Sequence, residues 1–171
     1  LASASDHNGD GYADVVVGAP YCDDGRTYDT GRAYLVFGPL TSSKSLSTAD
    51  VTLLGEDAWD QAGYSVDGDG DVNRDGYSDI LVGAPYLDYG ATSSGGAYAL
   101  YGPMAAGAVS LGMARVRMDG ESFDDAAGYQ LSFLPDLDGD DRSEVLLGAP
   151  YGSPSGHGSE GAAYVVLGGR I

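Results

Sequence analysis

The stretch Asp71-Val72-Asn73-Arg74-Asp75-Gly76-Tyr77-Ser78-Asp79 runs directly into Ile80-Leu81-Val82-Gly83-Ala84-Pro85-Tyr86, and it decides the fold. It has an upstream counterpart, Asp6-His7-Asn8-Gly9-Asp10-Gly11-Tyr12-Ala13-Asp14, followed by Val15-Val16-Val17-Gly18-Ala19-Pro20-Tyr21. Downstream stands Asp136-Leu137-Asp138-Gly139-Asp140-Asp141-Arg142-Ser143-Glu144, followed by Val145-Leu146-Leu147-Gly148-Ala149-Pro150-Tyr151. Asp6, Asp71 and Asp136 stand 65 residues apart, so the chain is a repeat array with one long period.

Other landmarks keep the same period, the middle copy of the second of them after a one-residue loop deletion. Ala62-Gly63-Tyr64 returns as Ala127-Gly128-Tyr129, and Gly31-Arg32-Ala33-Tyr34 returns as Gly95-Gly96-Ala97-Tyr98 and Gly161-Ala162-Ala163-Tyr164. Each period reads as four short strands bounded by Gly, Pro, Asp and Ser clusters. In the middle copy these are about residues 63–69, 79–83, 97–101 and 113–119, here called A to D. The B strands, such as Ile80-Leu81-Val82, are apolar at every position, which suits burial on both faces. In the D strand, Arg115 and Arg117 alternate with Ala114, Val116 and Met118, as in a half-exposed edge. Around residues 47–50 a single helical turn is expected. Four-stranded sheets with apolar inner strands and a charged outer one predict an all-β fold of antiparallel propeller blades. A β-solenoid or stacked sandwich repeats fit the long period less well.

The expected units are residues 1–62, lacking most of the first strand, 63–127, a complete blade, and 128–171, lacking the last strand. About three blades follow, the first and last incomplete. This reading favours a piece of a larger propeller, with strand sharing between copies as the alternative. The start at Leu1, with no visible leader, agrees with a processed or excised piece.

Within each loop, oxygen-bearing residues fall at positions 1, 3, 5 and 9. The candidate metal ligands are Asp6, Asn8, Asp10 and Asp14, then Asp71, Asn73, Asp75 and Asp79, then Asp136, Asp138, Asp140 and Glu144. The carbonyls of Tyr12, Tyr77 and Arg142 at position 7 complete each set. Such spacing in a tight loop surrounds one hard cation with oxygens, and Ca²⁺ accepts 6–8 of them in irregular geometry. Up to three Ca²⁺ are expected, one per repeat. The competing reading is a metal-free Asp/Asn/Gly turn. Three copies in register, each with an acidic fourth ligand at position 9, argue against it. The third loop is the least secure, because Asp141 stands where Gly11 and Gly76 turn the chain and Glu144 replaces aspartate. An EF-hand is excluded, since its position 12 needs a glutamate and here falls on Val17, Val82 and Leu147.

Composition narrows the function. The net charge is −18, with 8 basic and 26 acidic residues, which excludes nucleic acid as a partner. No apolar run is long enough to span a membrane as a helix. The lone Cys22 supports no disulfide framework. A hydrolase is disfavoured, because the carboxylates repeat from copy to copy whereas catalytic groups would break the repeat. His7 and His157 complete no catalytic constellation.

The Asp-x-Asn-x-Asp-Gly-x-x-Asp loop, the apolar strand with Gly-Ala-Pro, and the preceding Ala-Gly-Tyr-Ser together resemble the FG-GAP repeat. That repeat builds the propeller of integrin α subunits and of bacterial integrin-like secreted proteins. Ala62 and Ala127 stand where the family usually has phenylalanine. The resemblance implies Ca²⁺ between strands A and B, no enzymatic activity, and an adhesion or recognition role that is secreted, extracellular or at the cell surface. It also implies a protein or glycan ligand on the opposite loop face, within residues 21–30, 55–61, 86–94, 120–126 and 151–160. Tyr28, Trp59, Tyr89 and Phe123 are the candidate partner-binding residues there. For Trp59 and Phe123, packing between blades is an equal alternative, and Tyr21, Tyr86 and Tyr151 read as blade packing. Other copies of the chain, or the rest of a larger propeller, are the further expected partners. A structural subunit of a surface or filament assembly is the alternative function.

Overall fold

The computed structural model describes all residues except 24, 26, 89–91 and 154–157. Among the described residues, twelve strands form three separate sheets. The first contains β1 (Ala2–Ser3), β2 (Val15–Ala19), β3 (Arg32–Val36) and β4 (Val51–Leu54). The second contains β5 (Val66–Gly70), β6 (Asp79–Ala84), β7 (Gly96–Leu100) and β9 (Val116–Asp119). The third contains β10 (Gln130–Leu134), β11 (Glu144–Ala149) and β12 (Ala162–Val166). Neighbouring strands within each repeat are antiparallel. The fold is all-β, as the period predicts, with a two-residue β1 and no fourth strand in the third sheet among the described residues.

The apolar B strands explain how the sheets stack. Ile80, Val82 and Ala84 of β6 pack with Tyr98 and Leu100 of β7 into a core shared with Val16, Ala33, Leu35, Val51 and Leu53 of the first sheet. Leu81 points the other way, with Ala97, Ala99 and Met118, into a core shared with Val145, Leu147 and Ala149 of the third. Successive residues of a strand face opposite sides, so β6 feeds two cores and is buried along its whole length. In β2 and β11 that complete burial is lost, because each has a neighbouring sheet on one face only.

Glycines set the distance between sheets. A Cβ on Gly18 would overlap the carbonyl oxygen of Gly63, and one on Gly83 would overlap that of Gly128. The Gly-Ala-Pro glycine of one blade is therefore where the Ala-Gly-Tyr segment of the next comes into backbone contact. Isolated parallel bridges, Gly31 to Ala62 and Gly95 to Ala127, complete each junction.

One strand was not foreseen. β8 (Gly107–Ser110) lies in the second repeat but pairs in parallel with β4, so it widens the first sheet to five strands and straps blade two onto blade one. A 3₁₀ turn at Leu111–Met113 follows, with the Ser110 side chain accepting from Gly112 N–H. Leu111 is buried in the first core. Residues 113–115 of the expected D strand are used in this turn and its exit, and the strand begins at Val116. The turn expected near residues 47–50 is a 3₁₀ turn at Leu46–Thr48.

Candidate metal loops and the opposite loop face

Antiparallel order places the A–B loops and the C–D loops at one end of the sheets, and the B–C and D–A loops at the other. The first end carries the acidic loops. In loop one, Asp6 accepts from the N–H groups of Asp10 and Gly11, both at 2.9 Å. The Asn8 amide donates to Asp10 Oδ2 at 2.9 Å. Asp14 is buried, accepting from His7 and Asn8 N–H on one oxygen and from Gly38 N–H on the other. Loop two repeats this pattern. Asn73 donates to Asp75 at 2.8 Å, Gly76 N–H to Asp71 at 2.9 Å, and Val72 and Gly102 N–H to the two oxygens of buried Asp79.

Loop three differs where its sequence differs. Carboxylate oxygens of Asp136, Asp138, Asp140 and Glu144 lie within 4.8 Å of one another. Glu144 is fully buried; Leu137 N–H donates to its Oε2 at 2.9 Å, while Oε1 has no partner. The Gly38 and Gly102 bonds to position 9 have no counterpart at Glu144 among the described hydrogen bonds. Asp141 takes the left-handed conformation at φ 64, close to the φ of 90 and 88 at Gly11 and Gly76. The turn is thus retained at a conformational cost, and Asp141 pairs with Arg74 of loop two at 2.6 Å.

Burial raises the pKa of Asp79 to about 6 and also raises that of Asp14. Asp136, fully exposed, is shifted down by backbone N–H groups, that of Gly139 first. Four converging carboxylates and a buried oxygen without a donor fit a hard divalent cation, which would supply the missing charge. Without a cation such a cluster concentrates like charge.

The second residue of loops one and two has a packing role that the spacing alone does not show, and that of loop three does not. His7 and Val72 are completely buried, while Leu137 is 60% exposed. His7 Nδ1 lies 2.6 Å from the Ser78 carbonyl in the next repeat, and burial lowers its pKa. Arg142 Nη1 donates to the Val72 carbonyl at 2.9 Å, and the Tyr77 ring lies against Gly9. The acidic loops therefore touch in series along this end.

At the opposite end, Trp59 N–H donates to the Tyr28 carbonyl at 2.9 Å, and Gln61 N–H to the Asp29 carbonyl at 3.0 Å. The rings of Tyr28 and Trp59 stack with centroids 5.8 Å apart. Tyr28 is 66%, Trp59 58% and Phe123 69% exposed. Trp59 and Phe123 are therefore on the surface and not packed between blades. The packing role expected of the repeated tyrosines needs correction too: Tyr21 and Tyr151 are exposed and only Tyr86 is half-buried, because they lie beyond the strand ends. Tyr64 and Tyr129 take the contact instead, with rings 4.6 Å apart and hydroxyls hydrogen-bonded at 2.8 Å. Tyr89 and His157 lie outside the described residues.

Residues 1–36, 62–100 and 127–166 match the FG-GAP repeat. The chain belongs to the FG-GAP repeat family. Each matched FG-GAP segment takes in one acidic loop and the strands around it, and these repeats are the propeller blades described above. Among its relatives, integrin alpha pat-2 of Caenorhabditis elegans is 29% identical over 86% of this chain and 13% of its own length. Integrin alpha-5 of Xenopus laevis is 31% identical over 86% of the chain and 14% of its own length. A mouse phosphatidylinositol-glycan-specific phospholipase D is 30% identical over 94% of the chain and 19% of its own length. The chain thus spans less than a fifth of these relatives. These three are animal proteins, so they give no support to a likeness with the bacterial integrin-like proteins in particular.

Proposed function

We propose that this FG-GAP chain is a Ca²⁺-stabilised, integrin-like recognition module of an extracellular or cell-surface protein, without catalytic activity of its own. The observation that carries the reading is loop three, where four acidic side chains converge on a buried oxygen without a partner. Ca²⁺ there would be held by Asp136, Asp138, Asp140 and Glu144, with the Arg142 carbonyl. Loops one and two would hold it through Asp6, Asn8, Asp10, Asp14 and the Tyr12 carbonyl, and through Asp71, Asn73, Asp75, Asp79 and the Tyr77 carbonyl. In loops one and two the asparagine amides must turn their oxygens inward, giving up the bonds to Asp10 and Asp75. The ion cross-links a loop to the strand that follows it, and so stiffens each blade and the series of loop contacts.

The opposite loop face, with Tyr28, Trp59 and Phe123, is the surface for a protein or glycan partner. Its exposed aromatics supply large contact areas at low entropic cost. The units 1–62, 63–127 and 128–171 act as three blades of a propeller completed by further chain. Thermal unfolding in chelator and in millimolar Ca²⁺ tests the reading; an unchanged Tm sinks the metal assignment.

A second reading, assembly by strand sharing, has one observation in its favour. The outer edge of β12 carries no partner strand among the described residues, where β3 has β4 and β7 has β9. Light scattering decides it, because a defined multimer is expected from shared strands and a monomer excludes them.

A further inference from the structure

The Trp59 position combines an unusual backbone with an unusual side chain. Its φ is 75, and that of Gln61 is 55. The next junction has the same backbone, with Asp124 at φ 63 and Ala126 at φ 53, so the conformation belongs to the fold. Aspartate tolerates the left-handed region, whereas a bulky aromatic does so at a cost. A tryptophan held there, more than half exposed and stacked on an exposed tyrosine, contributes little to any core. Strain of this kind is found where a side chain must be presented in one pose.

Beside the indole lies a cleft of about 280 Å³ at the junction of the first two blades, lined by Ala58, Trp59, Gln61, Tyr86, Asp88 and Ser93. One wall is the D–A loop and the other the B–C loop of the second blade. They are joined by Tyr86 N–H donating to the Asp60 carbonyl at 3.4 Å. Asp88 is anchored, its Oδ1 accepting from Ser93 N–H at 2.6 Å. The lining thus offers an aromatic face, a carboxamide with donors and an acceptor, two hydroxyls and one carboxylate.

The charge around the cleft selects among ligands. The chain carries −18, and Glu56, Asp57 and Asp60 lie in the loop beside the cleft, so an anionic ligand is repelled. Yet those acids do not line it. Glu56 accepts from the Tyr98 hydroxyl at 2.7 Å and sits 4.0 Å from Arg117, and Asp60 is buried, accepting from Asp57 N–H. A pocket for a basic side chain would gather carboxylates; this one gathers neutral hydrogen-bonding groups around one.

Resting on the assignment of this loop face to recognition, we propose that the Trp59 cleft binds an uncharged sugar ring of a glycan. The ring's apolar face lies on the indole, and its hydroxyls are read by Gln61, Asp88, Ser93 and the Tyr86 hydroxyl. Tyr28, stacked on the indole, fixes its orientation and acts as a positioning residue.

Trp59 is the only tryptophan in the sequence, so its fluorescence reports on the cleft directly. The full chain is titrated in Ca²⁺ buffer with the methyl glycosides of glucose, galactose, mannose and N-acetylglucosamine. The methyl glycoside of N-acetylneuraminic acid and a penta-arginine peptide serve as charged comparators. The expected result is a saturable change of Trp59 emission with at least one neutral glycoside and none with either comparator. Gln61→Ala, which installs the residue carried at Ala126, should weaken binding by about tenfold. Trp59→Asp, which installs the residue carried at Asp124, should abolish the saturation-transfer NMR signal of the bound glycoside. Both variants copy the second junction, so they keep the fold. A response to the peptide alone overturns the glycan assignment and leaves the recognition face standing. Silence toward every probe, with the Ca²⁺-dependent Tm intact, overturns the glycan assignment without touching the metal reading.

Discussion

Replacing Gly83 by alanine would place a methyl group in the contact between the second and third blades. Its Cβ would overlap the carbonyl oxygen of Gly128 and stand 3.1 Å from that carbonyl carbon. Ordinary contact begins near 3.4 Å; the Ser65 hydroxyl, which is also overlapped, can rotate away, but the Gly128 backbone cannot. The third blade must move by roughly 1 Å, and a gap of that size forfeits a quarter to a half of each dispersion contact it opens. The core between the sheets, built from Leu81, Ala97, Ala99, Val145, Leu147 and Ala149, bears that loss. Overpacking of this kind costs about 1–3 kcal/mol. Gly148 occupies the same motif position in the third blade, yet a Cβ there meets nothing closer than the Gln130 oxygen at 3.4 Å. Gly148→Ala should therefore be neutral or stabilise by about 0.4–1 kcal/mol through the unfolded chain. Urea unfolding of both variants, read by circular dichroism, should separate them by about 1–4 kcal/mol. Equal stabilities would refute the reasoning that the Gly-Ala-Pro glycine sets the spacing of the blades.

Three further outcomes are expected. Asp141→Gly should stabilise the metal-free chain by about 1 kcal/mol, since glycine takes the left-handed turn without strain and the exposed pair with Arg74 offers little in return; urea midpoints check this. Burial raises Asp60 to about 7 and Asp79 to about 6 from an unfolded value of 3.8, so the folded chain binds more protons between those values. Metal-free stability should then rise as pH falls from 8 toward 5, and Asp60→Asn should flatten the part between 8 and 6; unfolding midpoints at four pH values read both. Tyr98→Phe removes the hydroxyl that bridges the blades to Glu56 and should cost about 1 kcal/mol, measured in the same way.

Much of this architecture was legible because it repeats. The 65-residue spacing of Asp6, Asp71 and Asp136 gave the blade count, and the unbroken apolarity of Ile80-Leu81-Val82 gave a strand with two covered faces. What escaped notice does not repeat, or is a matter of neighbours. Gly107-Ala108-Val109-Ser110 is short, has no strong alternation and pairs across blades, so no local pattern marks β8. His7 completes no constellation in the sequence, and only the adjacent blade shows that it is packing. Glu144 read as a weakness of the third loop, yet that loop is the one in which four carboxylates converge and a buried oxygen is left without a donor. Reach of one extra methylene could be noted in sequence, but not where it would lead.

Calcium titration of the metal-free chain by isothermal calorimetry, with the Tm followed alongside, tests the central claim most directly. Saturable binding and a rising Tm are predicted, each site adding about 2.7 kcal/mol at a hundredfold excess over its Kd. The effect should shrink when Asp138 and Glu144 are replaced by Asn and Gln. A chain that shows neither heat nor a change of Tm in millimolar Ca²⁺ would contradict the account.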